Sequence, residues 1–364
     1  MKVLFLTNLP SPYRVKFFTE LGKKCELTVL YERKAASDRD AEWRTESGSS
    51  YREILLKGMD IGTDNSFCPE VIFHLKRNYD VIVIGMYSTY TAMLAMAWMK
   101  LMRLPYVIST DGGFIREESA MKKRIKTLWL SSAKYWLGTG KLAREYLCYY
   151  GAKDCLIFDY PFTSIDQKDL LSSVISKEEK KKIRTKLGIT SSKVVISVGQ
   201  FIHRKGFDIL LKACEQISCE DTTFLIVGGT EGTFRKNISK NIPDYVKIIP
   251  FMQKSDLFQY YLAADFFVLP TREDVWGLVV NEAMACGLPV IATNMCGAGL
   301  ELISNGENGF IVQANDENEL AKTLEIMLQS DVLTEQGNKA LKKIKEFTFQ
   351  TMATRCYEIF ESNM

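Results

Sequence analysis

Short apolar runs alternate with segments of helical period along the whole chain. In the first half the strand candidates are KVLFLT (2–7), CELTVLYE (25–32), YREILLK (51–57), DVIVIG (80–85), PYVIST (105–110), KYWLGT (134–139) and CLIFDY (155–160). The second half repeats the grammar with VVISVGQ (194–200), TFLIVGG (223–229), VKIIPF (246–251), DFFVLPT (265–271), LPVIATN (288–294) and GFIVQ (309–313). Several are unbroken Val/Ile/Leu runs, the mark of strands buried on both faces of a parallel sheet. Helical segments separate most of them. Two such βα arrays predict an α/β chain of two Rossmann-like, doubly wound domains, over 1–163 and 164–342. The basic run Lys180–Lys182 lies on a polar helix just after the boundary, and FQTMATRCYEIFESNM supplies a closing helix within 343–364, expected to pack back on the first domain.

Composition supports that division. With 364 residues, 46% hydrophobic and 25% charged, each half has enough chain for its own core. TAMLAMAWMKLMRLP is the most apolar later run, but Lys100 and Arg103 interrupt it, so a buried helix is expected rather than a membrane span. Met1-Lys2 leads straight into VLFLTNLP, too short for a leader, and a cytoplasmic setting is expected. The nine cysteines are odd in number and form no CxxC pair, which fits free thiols in a reducing compartment. A net charge of +3 makes no demand for nucleic acid. Residues 1–160 carry 24 Lys and Arg against 18 Asp and Glu, or +6, and the remainder carries 23 against 26, or −3. Such asymmetry suggests different partners for the two halves.

Candidate chemistry gathers behind the strands of the second array, where open α/β sheets bind ligands. Gly199 frees the backbone after VVISV; Arg204 and Lys205 precede Gly206 and an amphipathic helix. Two cations at a helix start suit a diphosphate. After DFFVLP comes TREDVWGLVVNEAMACG, in which Gly277 opens a helix and the amides of Trp276, Gly277, Leu278 and Val279 are free for an anion or sugar hydroxyls. Glu282 lies about one turn inside, among apolar residues, where a carboxylate needs donors such as vicinal ribose hydroxyls. Read alone, Asp274 is equally a helix cap and Glu282 equally a structural salt bridge.

Together these segments carry a resemblance. VGQFIHRKGFDILLKA, LIVGG, IIPFMQKSDLFQYYLAADFFVLPTREDVWGLVVNEAMACGLPVIAT and GLELISNGENGFIV, spread over residues 185–330 in order and spacing, resemble the donor half of a family 4 retaining glycosyltransferase of the GT-B fold. The resemblance implies two Rossmann-like domains facing across a cleft. It also implies transfer of a sugar from a nucleoside diphosphate sugar to a glycan or glycolipid, of the kind used in bacterial surface polysaccharide synthesis. Neither a cofactor nor a metal is implied. The family's two acidic residues have seven between them, and that register selects Asp274 and Glu282 and passes over Glu273. By resemblance Asp274 reaches donor sugar hydroxyls beside the reacting carbon, Glu282 holds the ribose, and the amides of Gly277, Leu278 and Val279 meet sugar and phosphate. Lys205 stands at the phosphate lysine, and Met252 in the loop that faces the base. The chain departs from the family twice: Asp274 replaces the usual Glu, and Gln200 replaces the usual Arg, for which Arg204 would compensate.

The first half resembles the family more loosely. A Pro-rich turn replaces the glycine pair after strand one, and Tyr13 and Arg14 follow it as acceptor-binding candidates or as an ordinary surface turn. Asp111, before Gly112-Gly113, stands near the usual cleft histidine; it is a catalytic or acceptor-binding candidate, or a plain turn residue. Neither His74, on a helix flank, nor His203, in the phosphate loop, reads as a base. Residues 116–130 join Lys122, Lys123, Arg124 and Lys126 to Leu128, Trp129 and Leu130: a helix for the inner membrane face, or a solvated face over a core stripe.

Other classes compete. Gly138-x-Gly140-x-x-Ala143 followed by Asp159 mimics a dinucleotide fingerprint, which would make the chain an NAD-dependent oxidoreductase. Asp38-Arg39-Asp40 resembles the metal-binding motif of GT-A transferases but sits in loop-like sequence. A non-catalytic nucleotide-sugar-binding subunit is the third class.

Overall fold

The computed structural model describes residues 1–34, 50–62 and 65–363; Asp38 to Asp40 lie outside them. They form two compact units, residues 1–163 with 348–364 and residues 164–347. The second unit ends beyond the helix Leu333–Ile344, so the chain returns to the first unit at Thr348, later than the expected 343.

The first unit holds β1 (Lys2–Thr7), β2 (Glu26–Tyr31), β3 (Arg52–Leu55), β4 (Met59–Ile61), β5 (Asn65–Phe67), β6 (Val81–Ile84), β7 (Val107–Thr110), β8 (Tyr135–Gly138) and β9 (Ile157–Asp159). Its main sheet is parallel, in the order β3-β2-β1-β6-β7-β8-β9. β4 and β5 make a separate antiparallel pair that the apolar pattern did not announce, because both are too short to show a period. The closing helix Phe349–Asn363 packs against the helix Pro12–Gly22, with Lys16 Nζ 6.0 Å from the Phe349 ring centroid.

The second unit holds β10 (Lys193–Val198), β11 (Thr222–Val227), β12 (Val246–Ile249), β13 (Phe266–Leu269), β14 (Val290–Thr293) and β15 (Gly309–Val312). They are all parallel, in the order β12-β11-β10-β13-β14-β15. Chain order therefore reverses between β10 and β13, as it does between β1 and β6 in the first unit. A doubly wound sheet opens its ligand crevice at such a reversal. The pairing of Val195 with Phe266 and Ile196 with Phe267 brings the strand ends out side by side, so Gly199 and Pro270 start adjacent loops. Ser197 Oγ donates to Val268 O at 2.6 Å between the two buried strands. Beneath one face Phe201, Phe207 and Phe234 meet edge to face or tilted, with centroids 5.1–6.4 Å apart, which anchors the loop after β10 on the helix Phe207–Cys214.

All nine thiols are free. No helix among the described residues is long and apolar enough to cross a membrane.

Candidate functional site

The loops after β10 and β13 are stitched together by their backbones. Arg204 O accepts from Arg272 N at 2.8 Å and from Thr271 Oγ1 at 3.0 Å. Arg272 donates twice to Asp208, at 2.8 and 2.6 Å, and once to His203 O at 2.7 Å. The two hydrogen bonds from Arg272 hold the Asp208 carboxyl below its usual range, and those same bonds raise the guanidinium. Gly206 closes the turn at φ +70°, and a Cβ there would lie 1.9 Å from Pro270 O. Gly206→Ala combines left-handed strain with a backbone collision. We expect it to lower unfolding free energy by about 2 kcal/mol or more in urea melts; an unchanged midpoint would show that the two loops separate easily.

This stitching sets the charged centre. Lys205 Nζ lies 2.5 Å from Asp274 Oδ2, and Arg204 Nη1 lies 3.8 Å from Oδ1. The Lys205 and Asp274 side chains are only 12% and 15% exposed. The Lys205 stem runs across Gly199, whose missing side chain would touch it at 3.4 Å. Arg204 is half exposed and donates to Glu273 O at 2.8 Å. Asp274 N donates to Met295 O at 2.8 Å and Asp274 O accepts from Gly297 N at 3.0 Å, which fixes its backbone. Asp274 does not cap a helix. The N-cap of Leu278–Ala285 is Gly277, at φ +95° with no side-chain cap, where a Cβ would lie 2.9 Å from Cys296 Sγ. Capped by no side chain, the first-turn amides of Leu278 and Val279 remain open to an anion. Trp276 is different: its side chain is buried and its indole N–H donates to Asn281 Oδ1 at 2.9 Å. Only its backbone belongs to the loop.

Glu282 lines a small pocket of the same unit with Ile165, Asp169, Lys254, Phe258, Tyr261 and Cys286 among others. Oε1 accepts from Ser164 Oγ at 3.0 Å and Oε2 from Tyr261 OH at 3.3 Å. Burial raises the Glu282 carboxyl, against the lowering influence of Lys254 and the two hydroxyls. Lys254 Nζ in turn donates to Asp169 Oδ2 at 2.9 Å and to Ser164 O at 2.8 Å. Sequence reasoning singled out none of Ser164, Asp169, Lys254 or Tyr261. They come from the segment 164–169 and the helix Lys254–Ala263, far from Glu282 in sequence, so no local pattern joins them to it. Met252 lies half-buried in the loop after β12, two strands from β10. His203 is exposed.

In the first unit Arg14 and Asp111 meet. Arg14 Nη2 lies 3.3 Å from Asp111 Oδ1, joining the helix after β1 to the end of β7. Arg14 is no surface-turn residue: it is 7% exposed, and its guanidinium lies 5.5 Å from the Tyr13 ring centroid and 5.4 Å from that of Phe162. Burial disfavours its charge, but Asp111, Tyr13 and Tyr160 outweigh that and raise its pKa. Tyr13 meets Phe162 edge to face at 5.6 Å. Gly112 turns the chain at φ +85° just beyond Asp111.

The dinucleotide-like stretch sits elsewhere. Gly138 ends β8, separated from β1 by β6 and β7 and so away from the reversal. Asp159 is taken by Arg144, with Nη2 at 2.8 Å, and Arg144 also binds Asp154 at 2.8 Å. Among the described residues no group of three or more His, Cys, Asp or Glu could hold a metal ion.

Residues 179–347 match the model for the family described as "Glycosyl transferases group 1". An uncharacterized glycosyltransferase of Haemophilus influenzae is 36% identical over 156 residues, 41% of this chain and 43% of that protein. A GDP-mannose-dependent monoacylated alpha-(1-6)-phosphatidylinositol monomannoside mannosyltransferase of Corynebacterium glutamicum is 32% identical over 200 residues, 51% of each chain. The match therefore spans about half the length of the curated relatives. Among solved structures, Anabaena HepE in complex with UDP superposes with a TM-score of 0.78 at 20% identity over 100% of both chains. Sucrose-phosphate synthase from Thermosynechococcus elongatus gives 0.76 at 19% identity, over 99% of this chain and 98% of that one. At such identities these likenesses speak for the fold alone, and that fold is GT-B.

Proposed function

We propose that the chain, whose residues 179–347 match the glycosyl transferases group 1 family, transfers a sugar from a nucleoside diphosphate sugar to a glycan or lipid-linked acceptor. One observation carries the proposal: Lys205 and Asp274 are paired at the strand-order reversal, where Gly277 opens an uncapped helix. A diphosphate takes Lys205 and the amides of Leu278 and Val279, with Arg204 at its edge. Asp274 turns to hydroxyls of the transferred sugar. Glu282 accepts from the ribose, and the loop carrying Met252 faces the base. UDP and UDP-glucose are bound by Anabaena HepE, which supports a nucleotide of that type.

Transfer proceeds with retention. The bond from the anomeric carbon to the β-phosphate oxygen breaks, and the acceptor oxygen bonds to the same face. Its proton passes to the departing diphosphate, so no enzymic nucleophile is needed. Lys205 and the helix amides stabilise the charge that develops on the leaving oxygens. The first unit takes the acceptor through Tyr13 and Asp111, with Arg14 as the positioning residue that holds Asp111. The chemistry needs no bound metal, so turnover should withstand a chelator. The product class that fits is surface polysaccharide or glycolipid, made at the inner face of the membrane.

The test is turnover over a panel of nucleotide sugars and acceptors, with the product anomer read by NMR. Transfer with retention, weakened in Glu282→Ala through a higher donor KM, supports the proposal. Binding without transfer or hydrolysis for any pair would leave a nucleotide-sugar-binding subunit instead.

Two further results are expected. Asp274→Asn should lower kcat at least about tenfold while changing nucleoside diphosphate affinity less, because the sugar contact matters most as the bond breaks. Wild-type rates in both Asp274→Asn and Asp274→Glu would remove Asp274 from the role. The second concerns pH. Because burial raises Glu282, a falling pH protonates it before an ordinary glutamate at about 4.3, and one ribose acceptor becomes a donor. Nucleotide-sugar affinity should therefore weaken on acidification through a window above that value. Titration calorimetry should find the dependence flattened in Glu282→Gln.

A further inference from the structure

The helix Ala120–Leu130 buries only its last residue, Leu130. A surface helix of this length normally turns an apolar stripe inward; here the stripe points out. Met121, Ile125 and Leu128, spaced at helical i, i+4 and i+7, are exposed, with Met121 at 73%. The ridge continues across a groove of about 260 Å³, lined by Leu128 and Trp129 on one side and Ala97, Lys100 and Leu101 on the other. Leu101 is 74% exposed. Exposed apolar side chains scattered singly need no explanation, but four along one ridge and groove do.

Contacts beneath the helix fix this orientation. Lys126 turns inward to Glu118 Oε2 at 3.1 Å and to Tyr150 OH at 3.2 Å. Lys123 Nζ lies 3.9 Å from the Tyr149 ring centroid. Trp136 Nε1 donates to Leu130 O at 2.7 Å. Two of the four cations noted in the sequence thus secure the helix to the unit. Lys122 and Arg124 stay exposed beside the ridge, and Lys100 and Arg103 stay exposed beside Leu101. Residues 116–126 hold five Lys and Arg against two Glu, and Glu118 is occupied by Lys126.

We propose that the ridge of Met121, Ile125 and Leu128, continued to Leu101, docks the first unit on an anionic bilayer. The charge favours this occupant. Long cationic side chains flank an apolar strip, which matches acyl chains below and phosphate head groups at their level. The proposal deepens the reading of a lipid-linked acceptor and rests on it for its purpose.

Co-sedimentation tests it, using the full chain with vesicles of phosphatidylcholine alone or with about 30% phosphatidylglycerol. Binding should require the anionic lipid and weaken in about 0.5 M NaCl. The triple variant Met121→Ser, Ile125→Ser, Leu128→Ser should bind at least about tenfold less. Lys122→Glu with Arg124→Glu should do the same without touching an apolar residue. No binding to anionic vesicles, unchanged binding in both variants, or retention only by an acidic protein would overturn the proposal. Thermal shift by nucleotide sugars on the same samples separates the two readings. Lost vesicle binding with intact donor response defeats the docking surface alone. A missing donor response with intact vesicle binding defeats the transferase reading alone.

Discussion

Lys205→Ala is expected to lower kcat/KM for the nucleotide sugar by about 10²–10³-fold, the cost of one preorganised donor at a developing charge. Lys205 is poised for this work: it is mostly buried, its stem rests on Gly199, and its ammonium lies 2.5 Å from Asp274. Removing it does more than delete a cation. It leaves Asp274 with only the more distant Arg204, at 3.8 Å, where a diphosphate must bind, so the local attraction for an anion is largely lost. Arg204 is poorly placed to substitute, since it is half exposed and donates to Glu273 O. Thermal melts of the free variant separate this loss from misfolding, because weakening the pairing of one mostly buried carboxylate costs only about 1–3 kcal/mol. A loss under about threefold with the wild-type melting temperature would mean that the phosphate lies elsewhere.

The second large effect is at Glu282. Glu282→Ala should raise KM for the donor about 10- to 100-fold with a smaller change in kcat. The ribose does not react, so its contacts act in the ground state and the transition state alike. Glu282→Gln, which keeps one acceptor oxygen, should fall between. Stability points the other way. The fold holds this carboxyl raised, so its ionised form is disfavoured by burial. Replacement should therefore cost the fold little even though Tyr261 and Ser164 lose an acceptor. A raised, hydroxyl-bonded carboxylate in a pocket is the pattern of a functional group. A large loss of stability with unchanged donor KM would recast Glu282 as structural.

Much of this was legible in the chain because it is encoded locally. All strands of the two main sheets fall on the apolar runs, β10 and β11 starting one residue earlier, and glycines mark the turns: Gly199 after β10, Gly206 in the loop that follows, Gly277 at the helix start. Asp274 and Lys205 were legible as candidates, but their pairing was not. They are far apart in sequence, and only the parallel register of β10 with β13 brings their loops together. The same holds for Arg272 with Asp208, which gave no local signal, and for Ser164 and Tyr261 around Glu282. Arg14 shows the limit in the other direction. After a Pro-rich turn it reads as an acceptor contact or a surface-turn residue, and the fold buries it against Asp111 and two aromatic rings. The helix at 120–130 reads either as one for the inner membrane face or as a solvated face over a core stripe. Tertiary contacts of Lys126 and Lys123 set its rotation and leave the stripe outside.

On this reading the second unit holds a nucleoside diphosphate sugar at the loops after β10 and β13. Thermal unfolding of the wild type and of Lys205→Ala with Glu282→Gln, against a panel of nucleoside diphosphate sugars, tests it most directly. A ligand that binds only the native state raises its stability by about 2.7 kcal/mol at a hundred times Kd. Tm should rise with concentration for at least one donor with the wild type and little or not at all with the double variant. No rise with any donor, or an equal rise in both proteins, would contradict it.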